Sequence, residues 1–281
     1  MSRQLRIFGD YSGWYNSDRM GHYWRLRGGR DTRELVSLHY IAMITVVCPT
    51  FGRPRGVCET IACFLSQDCR DARLVIVNDH PEQTLLYAHE RVTVINKPER
   101  YPSLGEKRQA ILESLPSGLW TTWDDDDIYL PNYLSYSLMN HQRFRTSASK
   151  HWWHWIDSGK RLYRISPAAW MNTVLCDRDI VLDVGGFKPG TNNTCVPVIA
   201  GLLKHRHLVG PAHGDGQPPT FIYRLGDGKS HCCMMDEANA YAETAAAADT
   251  VRGEIVLQPF LADDYAAKAL ASWNALQQGA P

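Results

Sequence analysis

Four consecutive carboxylates, Asp124 to Asp127, are the stretch of this chain most able to do chemistry. Adjacent carboxylates repel, so near neutral pH they need thorough solvation or a compensating cation. Mg²⁺ and Mn²⁺ favour hard oxygen ligands and commonly take one or two carboxylates together with substrate phosphates. At the end of a buried strand, such a run could hold a metal against a nucleotide diphosphate and neutralise charge on the departing group. The plainer alternative is a solvated acidic loop capping the next helix. The apolar flanks, Trp123 before and Ile128-Tyr129-Leu130 after, weigh against it.

The elements around the run explain how it would be held. Ile44 to Cys48 is almost wholly apolar and β-rich, as in a strand covered on both faces. Pro49 to Pro54 breaks it, and Val57, Ile61, Phe64 and Leu65 then recur with the period of one helix face. A second strand, Leu74 to Val77, ends in Asn78-Asp79, and a third covers Val92 to Ile95. Ser103 with Glu106 forms a capping box before a helix whose apolar stripe is Leu104, Ile111, Leu112 and Leu115. A fourth strand, Leu119 to Trp123, runs into the carboxylates, and Pro131 suits the first turn of another helix. This order predicts a mostly parallel sheet, an α/β fold. Right-handed crossovers put the strand C-termini on one edge, where open sheets bind ligands. Asp79 and Asp124–Asp127 share that edge although they are far apart in sequence.

Past residue 150 the pattern changes. His151 to Trp155 and Arg161 to Ile165 flank Asp157-Ser158-Gly159-Lys160, which predicts a hairpin. Residues 189–219 are rich in Gly, Pro and Asn and are expected to form loops. The Ala-rich stretch 238–248 and residues 261–278 are expected to be helical, the latter with Ala266, Leu270, Trp273 and Leu276 on one face. The organisation expected is an N-terminal extension over 1–42, a nucleotide-sugar-binding half over 43–145, an acceptor-side half over 146–235, and a helical tail over 236–281.

Basic and acidic residues balance at thirty each, so bulk charge points to neither a nucleic acid nor a membrane. No stretch approaches the roughly 20 apolar residues of a membrane helix. The first ten residues lack the order of a signal peptide, and the expected location is cytoplasmic. The eight Cys show no CxxC pair and read as small buried hydrophobes.

With these residues in place, the chain resembles the family-2 glycosyltransferases of the GT-A fold, a Rossmann-like α/β architecture with helices on both sheet faces and a smaller C-terminal acceptor-side region. The resemblance is good over 43–145 and loose over 170–235. The segment ITVVCPTFGRP resembles the family's first strand and loop, which brings Thr50 and Arg53 to the donor. Asp79, in VIVNDH, matches the Asp that contacts the nucleotide base. Gly105-Glu106-Lys107-Arg108 is similar to the family's Gly-x-x-Arg segment lining the donor site. WDDDDIYLP matches the DxD signature and its trailing Pro. The resemblance implies that Asp124 and Asp126 are the DxD pair, with Asp126 as direct metal ligand, Asp124 facing ribose or metal, and Asp125 beside the donor. Ile222-Tyr223-Arg224 through His231 is similar to the segment that delivers a late His to the metal, which makes His231 a third ligand to Mn²⁺ or Mg²⁺. A zinc site from His213, His231, Cys232 and Cys233 lacks the usual chelating spacing.

One departure stands out. Gly185-Gly186-Phe187 resembles the segment before the acceptor loop, but the Glu-Asp pair that should follow, whose Asp is the general base, has no counterpart from Lys188 to Pro197. Asp215 is the next acid, and Asp177 and Asp179 are upstream rivals for the base. The implied activity is transfer of a sugar from a nucleoside-diphosphate sugar, a UDP-sugar first, to an acceptor hydroxyl. The acceptor stays open between a glycan, a small molecule and a modified DNA base. Two other readings are a nucleotidyltransferase acting on a sugar phosphate and a degenerate binding domain. The former usually carries a Gly-rich basic loop after the first strand, of which Arg53 and Arg55 give a faint echo.

Overall fold

The computed structural model describes residues 43–144, 147–148, 152–156, 161–165, 171–191, 194–205, 219–225 and 250–278. Strand β1, Ile44–Thr50, is buried at every position. Its two faces serve two cores: Ile44, Val46 and Cys48 join one apolar cluster and Val47 the other. β2, Ala72–Asn78, divides likewise, with Leu74 and Ile76 on one side and Val75 and Val77 on the other. A strand buried on both faces has no polar side to alternate with, which is why the apolar runs are nearly continuous.

The first core is closed by helix α1 (Pro54–Leu65) through Val57, Ile61 and Phe64, and by α3 (Tyr133–Phe144) through Tyr133 and Leu134. The last helix also packs there. It spans Tyr265–Gln277 and is called α6, after α4 (Arg178–Asp183) and α5 (Cys195–Lys204). The second core is closed by α2 (Leu104–Ser114) through Ile111 and Leu112, by α4 through Val181, and by α5 through Val198 and Leu202. Helices therefore cover both faces, as expected.

The remaining strands are β3 (Gln83–Leu86), β4 (Val92–Asn96), β5 (Leu119–Thr122), β6 (Ile128–Tyr129), β7 (Ser147–Ala148), β8 (Trp152–Ile156), β9 (Arg161–Ile165), β10 (Val174–Asp177), β11 (Phe221–Leu225) and β12 (Gly253–Val256). The central sheet runs β4-β2-β1-β5-β10-β7. Its first four strands are parallel, and β10 and β7 add antiparallel pairings. A second sheet, β6-β11-β8-β9, contains the expected hairpin as the antiparallel pair β8–β9. β12 pairs with β3 in a parallel ribbon. The Asn96 amide joins this ribbon to the central sheet by bonding both the N–H and the carbonyl of Leu85, each at 2.9 Å.

Two expectations need correction, and one strand was not foreseen. The region 189–219 contains a helix, α5, because Val198 and Leu202 lie one turn apart and fill the second core. The buried face of α6 is Tyr265, Ala269 and Trp273, while Leu270 is exposed. The apolar residues of α6 outnumber what one face can bury, and the Ala positions gave the pattern little contrast. β3 went unread because its four residues carry only a brief alternation. The Ala-rich stretch 238–248 lies outside the described residues.

Gly105 shows how tightly the second half is seated on the first. Its N–H donates to the Gly190 carbonyl at 2.7 Å, and a Cβ there would lie 1.9 Å from the Lys188 carbonyl oxygen. Backbone meets backbone, so no side chain can yield. Gly105→Ala is expected to destabilise the fold by about 1–3 kcal/mol or more, as overpacking does. Urea denaturation with an unchanged m-value would show it, and a wild-type midpoint would refute this close approach.

Candidate active site

β1, β2, β4 and β5 end together at Thr50, Asn78, Asn96 and Thr122. The segments leaving these ends meet in a chain of charge-assisted hydrogen bonds. Asp79, just past β2, accepts from the Lys107 ammonium at 2.5 Å and from the Tyr101 N–H at 3.0 Å. Lys107 also donates to the Thr50 carbonyl at 2.5 Å. The Thr50 hydroxyl donates to Asp125 at 2.5 Å, and Arg53 bridges Asp125 at 2.9 Å and Asp126 at 3.0 Å. Arg108 reaches Asp124 at 2.7 Å and the Thr194 hydroxyl at 2.7 Å.

Local sequence explains each placement. Ser103 caps α2 by accepting the Glu106 N–H, which fixes the first turn that carries Lys107 and Arg108. Lys107 lies inward and is buried, whereas Arg108 lies at the rim. The carboxylate run is a turn closed by aromatics. Trp123 and Tyr129 stack with ring centroids 4.0 Å apart and planes within 4°, and the Asp124 N–H donates to the Tyr129 hydroxyl at 2.8 Å. The start of α1 abuts the turn so closely that a Cβ on Gly56 would lie 2.3 Å from the Asp125 carbonyl.

Within the turn the four carboxylates alternate. Asp125 and Asp127 are buried, and each is held by protein donors. Asp127 accepts from the Asn172 amide at 2.9 Å and the Arg224 N–H at 3.1 Å. Asp124 and Asp126 are half-buried, with 31% and 19% of their side-chain surfaces open. Burial pushes the Asp127 carboxyl well above the usual carboxylate range, and its neighbours Asp126 and Asp124 push it further. Burial likewise raises Asp124, against the opposing pull of Arg108. Lys107 is lowered by burial, with Asp79 restoring part of its basicity.

The structure thus brings Thr50, Arg53, Asp79, Lys107, Arg108, Asp124, Asp125 and Asp126 together. Asp125, expected beside the donor, is turned into the protein. Asp177 is not brought to the site. It pairs with Leu119 at the start of β5, and so sits at the opposite edge of the sheet from Asp124. The antiparallel direction of β10 carries it there, which removes it as a base; Asp179, exposed and bonded to Arg178, is on that same side. Asp215 and His231 lie outside the described residues. Glu59, Asn172, Thr194 and the buried side chain of Arg224 were missed. A Glu within an apolar helix face and an Arg in a β-rich run are the only signals the sequence offered for two of them.

The sequence profile described as Glycosyl transferase family 2 matches residues 45–187, just over half of the chain. The chain belongs to glycosyltransferase family 2. This membership supports glycosyl transfer over the nucleotidyltransferase reading. No curated protein matches the sequence. Among solved structures, the S. aureus TarS fragment 1–349 in complex with UDP-GlcNAc aligns over 73% of this chain and 66% of its own, at 11% identity and a TM-score of 0.51. Against a longer TarS chain the alignment spans 42% of that chain's length. The mannosyltransferase PcManGT from Pyrobaculum calidifontis, in complex with GDP-Man and Mn2+, aligns over 85% of this chain and 76% of its own, at 13% identity and a TM-score of 0.48. At these identities the likeness concerns the fold. No helix among the described residues is long and apolar enough to cross a membrane.

Proposed function

We propose that this glycosyltransferase moves a sugar from a nucleoside-diphosphate sugar to an acceptor hydroxyl, with a divalent cation held by Asp124 and Asp126. The alternation of the carboxylate run carries this reading. Asp125 and Asp127 are buried and committed to protein donors, which leaves the i, i+2 pair, Asp124 and Asp126, at the open edge. Their hard oxygens suit Mn²⁺ or Mg²⁺, which bind through one or two carboxylates and complete their shell with phosphate and water. When bound, the cation would neutralise charge on the leaving diphosphate.

The chain's own residues do the remaining work. Arg53 and Arg108 already neutralise the open carboxylates and lie where phosphate oxygens would approach. Lys107 and Asp79 tie the ends of β1 and β2 together and set the floor on which a nucleoside would rest. His231 is proposed as a further ligand and Asp215 as base. A UDP-sugar is the first donor to try, because the TarS fragment was solved with UDP-GlcNAc.

A thermal-shift screen of UDP, GDP, CDP and dTDP and their sugars, with and without Mn²⁺, tests the reading. One nucleotide should stabilise the wild type by about 2.7 kcal/mol at a hundredfold excess over Kd. The gain should need metal and vanish in Asp126→Ala. If no nucleotide shifts the transition with or without metal, the carboxylate run is structural and the proposal fails.

A further inference from the structure

We infer that Arg224 is a positioning residue for the carboxylate run, and that Glu59 and the C-terminal segment act on the donor site through it. The inference rests on the metal-binding role proposed for Asp124 and Asp126. Arg224 is buried in β11 and grips the turn twice. Its main-chain N–H donates to the Asp127 carboxylate at 3.1 Å, and its Nε donates to the main-chain carbonyl of Asp126 at 2.6 Å. The same guanidinium donates through Nη1 to Glu59 at 2.8 Å and to the Tyr265 hydroxyl at 3.4 Å. Glu59, buried on α1, uses its other oxygen to accept the Ala262 N–H at 3.2 Å. One side chain therefore connects α1, the carboxylate turn and the C-terminal segment.

Stability alone is a poor reason for this arrangement. Removing two charges from water is costly, and apolar residues of similar volume often hold a core as well or better. A guanidinium offers something they lack: a rigid fork that fixes two partners at a set angle. Here one partner is a carboxylate on a helix and the other is the backbone that presents Asp126. Partners that orient a ligand without touching the metal typically alter affinity by about 10–100-fold. Arg224, Ala262 and Tyr265 lie beyond the residues matched by the family profile.

Two variants separate positioning from packing. Glu59→Leu with Arg224→Met removes both charges and keeps an apolar fill, so the chain is expected to fold. Arg224→Lys keeps a charge for Glu59 but replaces the rigid planar fork with a point charge on a flexible stem, which does not fix Glu59 and the Asp126 carbonyl at a set angle. Each should melt within a few degrees of wild type yet bind Mn²⁺ about 10–100-fold more weakly, by electron paramagnetic resonance titration in the presence of UDP. Hydrogen exchange over residues 123–130 should speed up in both. Wild-type Mn²⁺ affinity in the double variant, or unchanged exchange over the turn, overturns the inference. If the wild type itself binds no Mn²⁺, the metal-dependent reading fails, and the exchange measurement still decides whether Arg224 positions the turn.

Discussion

Asp126→Ala is expected to lower kcat/KM about a thousandfold while leaving the fold intact. The residue is half-buried, with 19% of its side-chain surface open, and its side chain is held by Arg53, which keeps Asp125 as a partner when Asp126 is gone. Removing it also relieves repulsion in a run of four acids. A metal's stabilisation of a leaving group is worth several kcal/mol, and each factor of ten in rate corresponds to about 1.36 kcal/mol. Asp126→Asn should lose nearly as much, since it keeps the shape and discards the charge. Steady-state release of nucleotide from the donor found in the thermal screen, with circular dichroism as the control, measures both. Retention of more than about a tenth of wild-type activity would show that Asp126 is not a metal ligand. Asp127→Ala should behave differently: it strands the buried Arg224 N–H and leaves the Asn172 amide only its 3.3 Å bond to Asp124, so stability falls together with activity.

The largest stability loss is expected from Lys107→Met. The Lys107–Asp79 pair is buried on both sides, and Lys107 also serves the Thr50 carbonyl. Taking away the ammonium leaves a buried carboxylate with only the Tyr101 N–H, and breaking such a pair typically costs about 3–5 kcal/mol. For a chain of this size that lowers Tm by roughly 10 °C, at about 2–4 °C per kcal/mol. Lys107→Met combined with Asp79→Leu should recover much of the loss, because no unpaired charge remains. A single-variant loss below about 1 kcal/mol would mean that water reaches the pair and that the site is more open than described.

The central sheet and its edge were legible in the sequence for a simple reason. β1, β2 and β5 are short, apolar and punctuated by polar ends, and strand ends in a parallel sheet must share an edge. The capping box at Ser103 and Glu106 placed Lys107 and Arg108 in the first turn of α2, which the Ser103–Glu106 hydrogen bonds bear out. What the sequence could not convey was which acids face outward. Asp125 and Asp127 are chemically identical to Asp124 and Asp126. Their burial is decided by Thr50, Asn172 and Arg224, residues from three other elements. The direction of β10 was equally hidden. Nothing in Val174 to Asp177 tells a parallel strand from an antiparallel one, so Asp177 could be assigned to either edge. Glu59 was invisible because a buried acid on an apolar helix face makes sense only once its partner, 165 positions away, is known.

The reach of these contacts bears on how the protein comes to be folded. Glu59 meets Ala262 across 203 positions and Arg224 across 165. Closing such long spans costs chain entropy before any contact rewards it, so topologies rich in them fold slowly. On the ribosome, the first four parallel strands emerge and can pair well before α6 exists. The carboxylate turn then waits for β11 and the last segment to dock behind it. Seating of the carboxylate turn is therefore tied to synthesis of β11 and α6, and a product truncated before them would carry the sheet without that support.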